Sequence, residues 1–190
     1  MAYLLSNPEE GSYSLDLYYI KFTHQPTGHI VAFPAIIQSL SDTHAPSFSK
    51  QYGNDTMDPT IILSSTDRKL SFSFTVLNST LEEARHNTQC VNLLIQMLYP
   101  LTDGDGAVIG NPYIKVEVMN LISSAVSSEG ILCVIDNISY DMKLDDGIIS
   151  ENKHIYPVSL DISIAATAVL ERDAHGETFL PNTYPSYGGM

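Results

Sequence analysis

The sequence predicts an α+β fold: a mostly antiparallel β-sheet or partial barrel of long strands, with one packed α-helix. Strict apolar–polar alternation, the two-residue period of a half-buried strand, runs through separate segments around residues 69–76, 131–144 and 157–170. One stretch between them switches to three- and four-residue spacing, the mark of a single helix. The longest strand segments far exceed the usual ~5–6 residues, so long hairpins or barrel-like curvature are expected.

The first residues, 1–14, read as an extended N-terminal arm. "LDLYYIKF" (15–22) has the β-branched and aromatic content of a strand and leads into the turn "THQPTGH". "HIVAFPAIIQSL" (29–40) is a second strand, in which Pro34 demands an edge position, a bulge or a break. Residues 41–59 lack periodicity and are expected to form a long loop, and "TIIL" (60–63) a short strand. In "RKLSFSFTVL" Leu70, Phe72, Phe74 and Val76 share one face, while Lys69, Ser71, Ser73 and Thr75 share the other.

Ser79 and Glu82 match a capping box at a helix start. Leu81, Ala84, Thr88, Val91, Ile95 and Leu98 then describe one helical face over about 80–98, ending before Pro100. "LTDGDGAVIGNP" is a loop, and strands resume at 113–122, with Ile114, Val116 and Val118 together. In 131–144 the apolar face is read as Leu132, Val134, Ile138, Tyr140, Met142 and Leu144, interrupted at Asp136. In 157–170 Val158, Leu160, Ile162 and Ile164 oppose Ser159, Asp161 and Ser163. Residues 173–190 read as a C-terminal arm, leaving one domain over 15–172, and no internal repeat is present.

Composition narrows the function. A net charge of −13 repels nucleic acid, which disfavours a sequence-reading DNA or RNA protein but suits a conduit through which DNA slides without sticking. No apolar run approaches the ~20 residues of a membrane helix, and the start lacks a secretory pattern. The two cysteines, Cys90 and Cys133, suit buried thiols, and the sequons at Asn54, Asn78 and Asn137 read as chance matches.

No catalytic, cofactor-binding or metal-binding set is found. "TDGDG" and "LDDG" lack the ligand series of a calcium loop and read as solvated turns. The six histidines have no zinc spacing, and His24 with His29 lacks a third ligand. Hydrolase elbows and phosphate loops are absent, and Asp136, Asp141, Asp145 and Asp146 are glycosidase candidates only as any acids are. The expectation is a non-enzyme without cofactor. The Ser/Thr faces fit either an ordinary solvent face or the wall of a water-filled channel.

The order of segments adds a resemblance. "FPA", a polar loop with "YGND" and "DPT", "TDRKLSFSF", a helix ending in "LYP", "NPYIKV" and "GILCVI" follow one another across residues 29–172. This order resembles the tail-tube-like domain of baseplate proteins that initiate the tube in contractile-tailed bacteriophages and related contractile injection systems. The resemblance implies a structural virion protein, made in the host cytoplasm, that forms a hexameric baseplate ring. That ring would join the hub or spike to the tail tube protein and initiate tube assembly, away from any membrane, with DNA as transient non-specific cargo. It further implies that Ser71, Ser73, Thr75, Ser159, Asp161 and Ser163 face a lumen, while Leu70, Phe72, Phe74 and Val76 pack on the helix through Leu81, Ala84 and Val91. Loop 41–59 and the terminal arms would touch neighbouring rings. Two alternatives are a main tail tube protein, which stacks on itself, and a monomeric carbohydrate-binding β-module stacking sugars on Tyr184 and Tyr187.

Overall fold

The computed structural model describes residues 19–51, 60–119, 121–122, 130–151 and 154–169. Both terminal arms, Asn54, Tyr184 and Tyr187 lie outside these residues. In chain order the elements are β1 (Tyr19–His24), β2 (Ile30–Pro34), β3 (Ile36–Gln51), β4 (Thr60–Leu77), α1 (Leu81–Gln96), β5 (Leu101–Thr102), β6 (Val108–Gly110), β7 (Ile114–Val118), β8 (Ile131–Glu151) and β9 (His154–Ala168). Seven strands form one antiparallel sheet in the order β2-β1-β7-β8-β9-β4-β3, and β5 and β6 form a small separate hairpin within the expected loop. The α+β expectation therefore holds, with an open, curled sheet rather than a closed barrel.

Pro34 closes β2 at the outer edge of the sheet, where a missing N–H interrupts no ladder. The β1–β2 turn reverses at Gly28, whose φ of 70° suits a residue without Cβ. Correction is needed for residues 41–59: through Gln51 the chain is strand, not loop. "TIIL" is likewise no separate strand but the start of β4, with one extra residue, Ser64, at a bulge opposite the Ser47/Phe48 step. The physical reason is that periodicity reports burial, and this half of the β3–β4 hairpin projects past the core as an arm with exposed faces.

A second bulge corrects β8. Ile135 pairs with Ala166 and Asn137 with Ala165, so Asp136 is the extra residue. Before it the core-facing residues are Ile131, Cys133 and Ile135; after it they are Ile138, Tyr140 and Met142. Leu132 and Val134 thus point away from the face that sequence alternation gave them.

The core fills the concave side of the curled sheet. Phe22 stacks on Phe72 at 6.3 Å between ring centres, and Phe33 meets Phe74 at 5.8 Å, joining β1 and β2 to β4 across the hollow. Helix α1 packs against β2, β8 and β9. Its N-cap is Thr80, not Ser79: the Thr80 hydroxyl accepts from the Glu83 N–H, and the Glu83 carboxylate accepts from the Thr80 N–H. Such a cap contributes about 1 kcal/mol. Two hydroxyls followed by two acids made the register degenerate. The buried helical face is Ala84, Asn87, Cys90, Val91 and Leu94. Ala84 and Val91 fall on it, whereas Leu81 is only partly buried. A buried asparagine turned the apparent stripe: Asn87 Nδ2 donates to Asn78 Oδ1, and Asn78 Nδ2 donates to the Pro157 carbonyl. Asn78 is therefore closed to glycosylation in the fold.

Candidate functional site

The feature that stands out is a wall of four long strands, β3-β4-β9-β8, whose face turned away from the core carries the hydroxyl residues. Directly opposed residues on neighbouring strands share a face. The register therefore lays Ser39, Ser73, Ser163 and Ser139 in one row across the wall. Ser39 and Ser73 hydroxyls lie 2.7 Å apart. The adjacent row is Ser41, Ser71, Ala165 and Asn137.

On the other side of the serine row, Thr75, Asp161 and Asp141 align. The Thr75 hydroxyl donates to Asp161 Oδ1 at 2.5 Å, and Gln38 Nε2 reaches the same oxygen at 3.2 Å. Two like charges opposite one another would repel. Lys143 offsets this, with Nζ at 2.8 Å from Asp141 and 3.7 Å from Asp161. The bond to Asp141, then that carboxylate's charge, raise the Lys143 ammonium above its usual value, with Asp161 adding less.

Five of the residues singled out in the sequence thus lie together on the wall: Ser71, Ser73, Thr75, Asp161 and Ser163. Ser159 shares their face but is buried, its hydroxyl donating to Asp146 Oδ2. The cover comes from β8, which makes an excursion between Lys143 and Ile148 and turns at Gly147, φ 119°. "LDDG" is that excursion. Sequence reasoning missed Ser39 and Ser41, hidden in a segment without apolar alternation. It also passed over Ser139 and named Asp141 only among the acids, although "ISYDM" carries the signal.

The wall has two unused edges. β7 pairs with β8 only from Ile131 to Cys133, so from Val134 onward that side of β8 has no strand partner among the described residues. The outer side of β3 has none either.

Other polar groups are consumed locally. Asp103 Oδ1 accepts from the N–H groups of Asp105 and Ala107, so "TDGDG" satisfies its own turn. Among the described residues, no three His, Cys, Asp or Glu side chains are grouped to hold a metal ion. No helix there is long and apolar enough to cross a membrane. Arg68, buried at the base of the β3–β4 arm, donates to both carboxylate oxygens of Asp42, which His44 also approaches at 3.3 Å.

At the β1–β2 turn, Thr27 Oγ1 lies 2.7 Å from His24 Nδ1 and 3.0 Å from His29 Nδ1. His24 is buried, and its Nε2 has no hydrogen-bond partner among the described residues. Burial first, and the nearby His29 second, hold its imidazole below the usual value of 6.5. A depressed histidine pKa contributes stability above about 6.5 that is lost as pH falls through the folded value. Thermal melts are therefore expected to be flat between about pH 8 and 6.5 and to decline below. His24→Asn should flatten that decline; an unchanged slope would assign it to another group.

No family model matches the chain, and no curated protein matches it. Among solved structures it is similar to a chain of the tail of an empty GTA particle, reconstructed with C6 symmetry. That likeness has 13% identity and a TM-score of 0.35, covering 84% of this chain and 95% of the other. It is also similar to a chain of the six-fold symmetrised baseplate of the anti-feeding prophage, at 9% identity and a TM-score of 0.32 over 80% and 87% of the two chains.

Proposed function

We propose that this chain is a structural, non-enzymatic subunit of a contractile tail, whose copies close edge to edge into a ring with the hydroxyl face lining the lumen. The observation that carries the reading is the four-stranded wall, both of whose edges lack a strand partner among the described residues. Strands alternate in direction across it, so an even number leaves β3 and β8 antiparallel to each other. A copy rotated about an axis along the wall then presents its β8 to β3 in the antiparallel sense, and pairing continues unbroken. Closure of this kind also removes two exposed edges that would otherwise template aggregation.

The six-fold number follows from the resemblance. Six walls of four strands, at about 4.8 Å per strand, give a circumference of roughly 115 Å and a diameter of about 37 Å before tilt. Such a lumen, small, hydrated and acidic at Asp141 and Asp161, repels phosphates and lets DNA pass without retention. On this reading the ring sits in a virion baseplate, between the hub or spike and the tail tube protein, as the layer that initiates the tube.

Negative-stain electron microscopy of the purified protein at high concentration tests closure. Six-fold rings with an open centre are expected. Uniform small particles at every concentration, including after addition of a hub and tube extract, would sink the reading.

A further inference from the structure

The β1–β2 turn holds a set of polar groups that neither the wall nor its edges use. The Thr27 hydroxyl bridges two imidazoles, 2.7 Å from His24 Nδ1 and 3.0 Å from His29 Nδ1. One end of this chain is wet and the other dry: Thr27 is exposed and His29 partly so, whereas His24 is buried. Backbone bonds hold the turn, His24 N–H to the His29 carbonyl and Gly28 N–H to the His24 carbonyl, each 2.8 Å. On the far side of the buried ring, Nε2 has no hydrogen-bond partner among the described residues.

A hydroxyl carries one proton, so Thr27 donates to one ring and must accept from the other for both contacts to be hydrogen bonds. Neutral imidazoles allow two directions. In the first, His24 Nδ1–H donates to Thr27, Thr27 donates to His29 Nδ1, and the buried Nε2 is a bare lone pair. In the second the direction reverses, and His24 carries its proton on Nε2 as a buried N–H with nothing to receive it. Orphaned buried N–H groups are rare and costly, which favours the first direction in the neutral protein. A proton taken up by His29 removes the choice. Its ring then bears N–H on both nitrogens, so Nδ1 can only donate, and Thr27 must turn its own proton to His24 Nδ1.

We propose that this turn is a pH-sensitive relay, in which a proton on His29, acting through Thr27, switches buried His24 from its Nδ1–H to its Nε2–H form. The net uptake is one proton, on His29. His24 releases its Nδ1 proton to solvent and takes one back at Nε2 as the turn briefly opens, so its own charge does not change. The surroundings leave His29 in control. Across the sheet the row runs His24, Ile114 and Cys133, and the Cys133 thiol donates to the Ile131 carbonyl. β2 turns Val31 and Phe33 to the same side, while Lys21, Lys115 and Glu117 lie on the opposite face of β1 and β7. Helix α1, packed on β2, adds Val91, Leu94 and the Cys90 thiol, which burial pushes up to about 11 and so keeps neutral. β6 approaches the turn at Pro26 with Gly110, and the Asp103 carboxylate of that hairpin is taken up by its own turn. The charge that acts on His24 is that of His29, which opposes a second proton there. Acid thus strands an N–H in the core beneath the β1–β2 corner and loosens that corner first.

Nitrogen-15 spectra of the histidine rings of the full chain, recorded against pH, test the relay, because the two tautomers interchange the shifts of Nδ1 and Nε2. His24→Asn and His29→Gln each remove one ring and so assign the signals. The His24 nitrogens are expected to interchange their shifts over the same pH interval in which His29 charges. Thr27→Val, at an exposed position, should leave His29 titrating and hold His24 in one tautomer, and Thr27→Ser should restore the interchange. Below that interval the His24 backbone amide, corrected for its intrinsic pH dependence, should exchange with solvent about tenfold faster or more than in Thr27→Val. A His24 tautomer that stays constant while His29 charges overturns the relay. So does an interchange that survives in Thr27→Val, or a His24 ring that charges together with His29.

Discussion

Phe74→Ala is expected to destabilise the protein by about 3–5 kcal/mol. Phe74 is fully buried on β4, with ring centres 6.2 Å from Phe72 and 5.8 Å from Phe33. Those contacts carry the curl of the sheet, since Phe33 belongs to the edge strand β2 and Phe74 to a strand near the other edge. Truncation removes the transfer free energy of the ring and leaves a hole that strands held by hydrogen bonds on both sides cannot collapse to fill. For a chain of this size the melting temperature should fall by roughly 6–20 °C. A loss below about 1 kcal/mol would mean that the hollow is not packed through these rings.

Gly130→Ala should come close to that effect, by about 2–4 kcal/mol, through the backbone instead of the core. Gly130 has φ 90°, and a Cβ there would lie 2.6 Å from the Val116 carbonyl oxygen and 2.8 Å from its carbon. The left-handed conformation alone costs alanine roughly 1–2 kcal/mol. The remainder arises because β7 must move away from the residue that leads into β8, whose Ile131 pairs with Val116. Gly28→Ala is the matched control: its φ is 70°, but nothing lies within 4 Å of the added carbon. Urea unfolding of the two variants should therefore differ by the clash, and equal losses would show that strain alone operates.

What the sequence disclosed tracks what the core touches. Leu70 to Val76 and Leu160 to Ile164 alternate cleanly because one face of each strand is buried along that length. Residues 41–51 gave no such pattern, because nothing buries them, yet pairing with β4 makes them strand all the same. The helix was legible and its rotation was not: Asn87 is buried by a hydrogen bond to Asn78, a partner nine residues earlier that hydropathy spacing does not weigh. Asp136 was noticed as an interruption, but only pairing with Ala165 and Ala166 reveals a bulge that exchanges the two faces of β8. On the wall, the serines next to buried phenylalanines were found, and Ser39 and Ser41 on the outer strand were not.

The pairing of buried Arg68 with Asp42 bears on how the arm behaves before it meets anything. A two-stranded hairpin in water is marginal alone and samples many shapes. Here its root is clamped on both strands at once, Asp42 from β3 and Arg68 from β4, by a two-oxygen contact in which the guanidinium is buried and the carboxylate half-buried. Bending at that root would strand a desolvated charge, which is costly. The body of the protein therefore fixes the direction of the projecting strands in advance, and any contact they make would cost little orientational freedom.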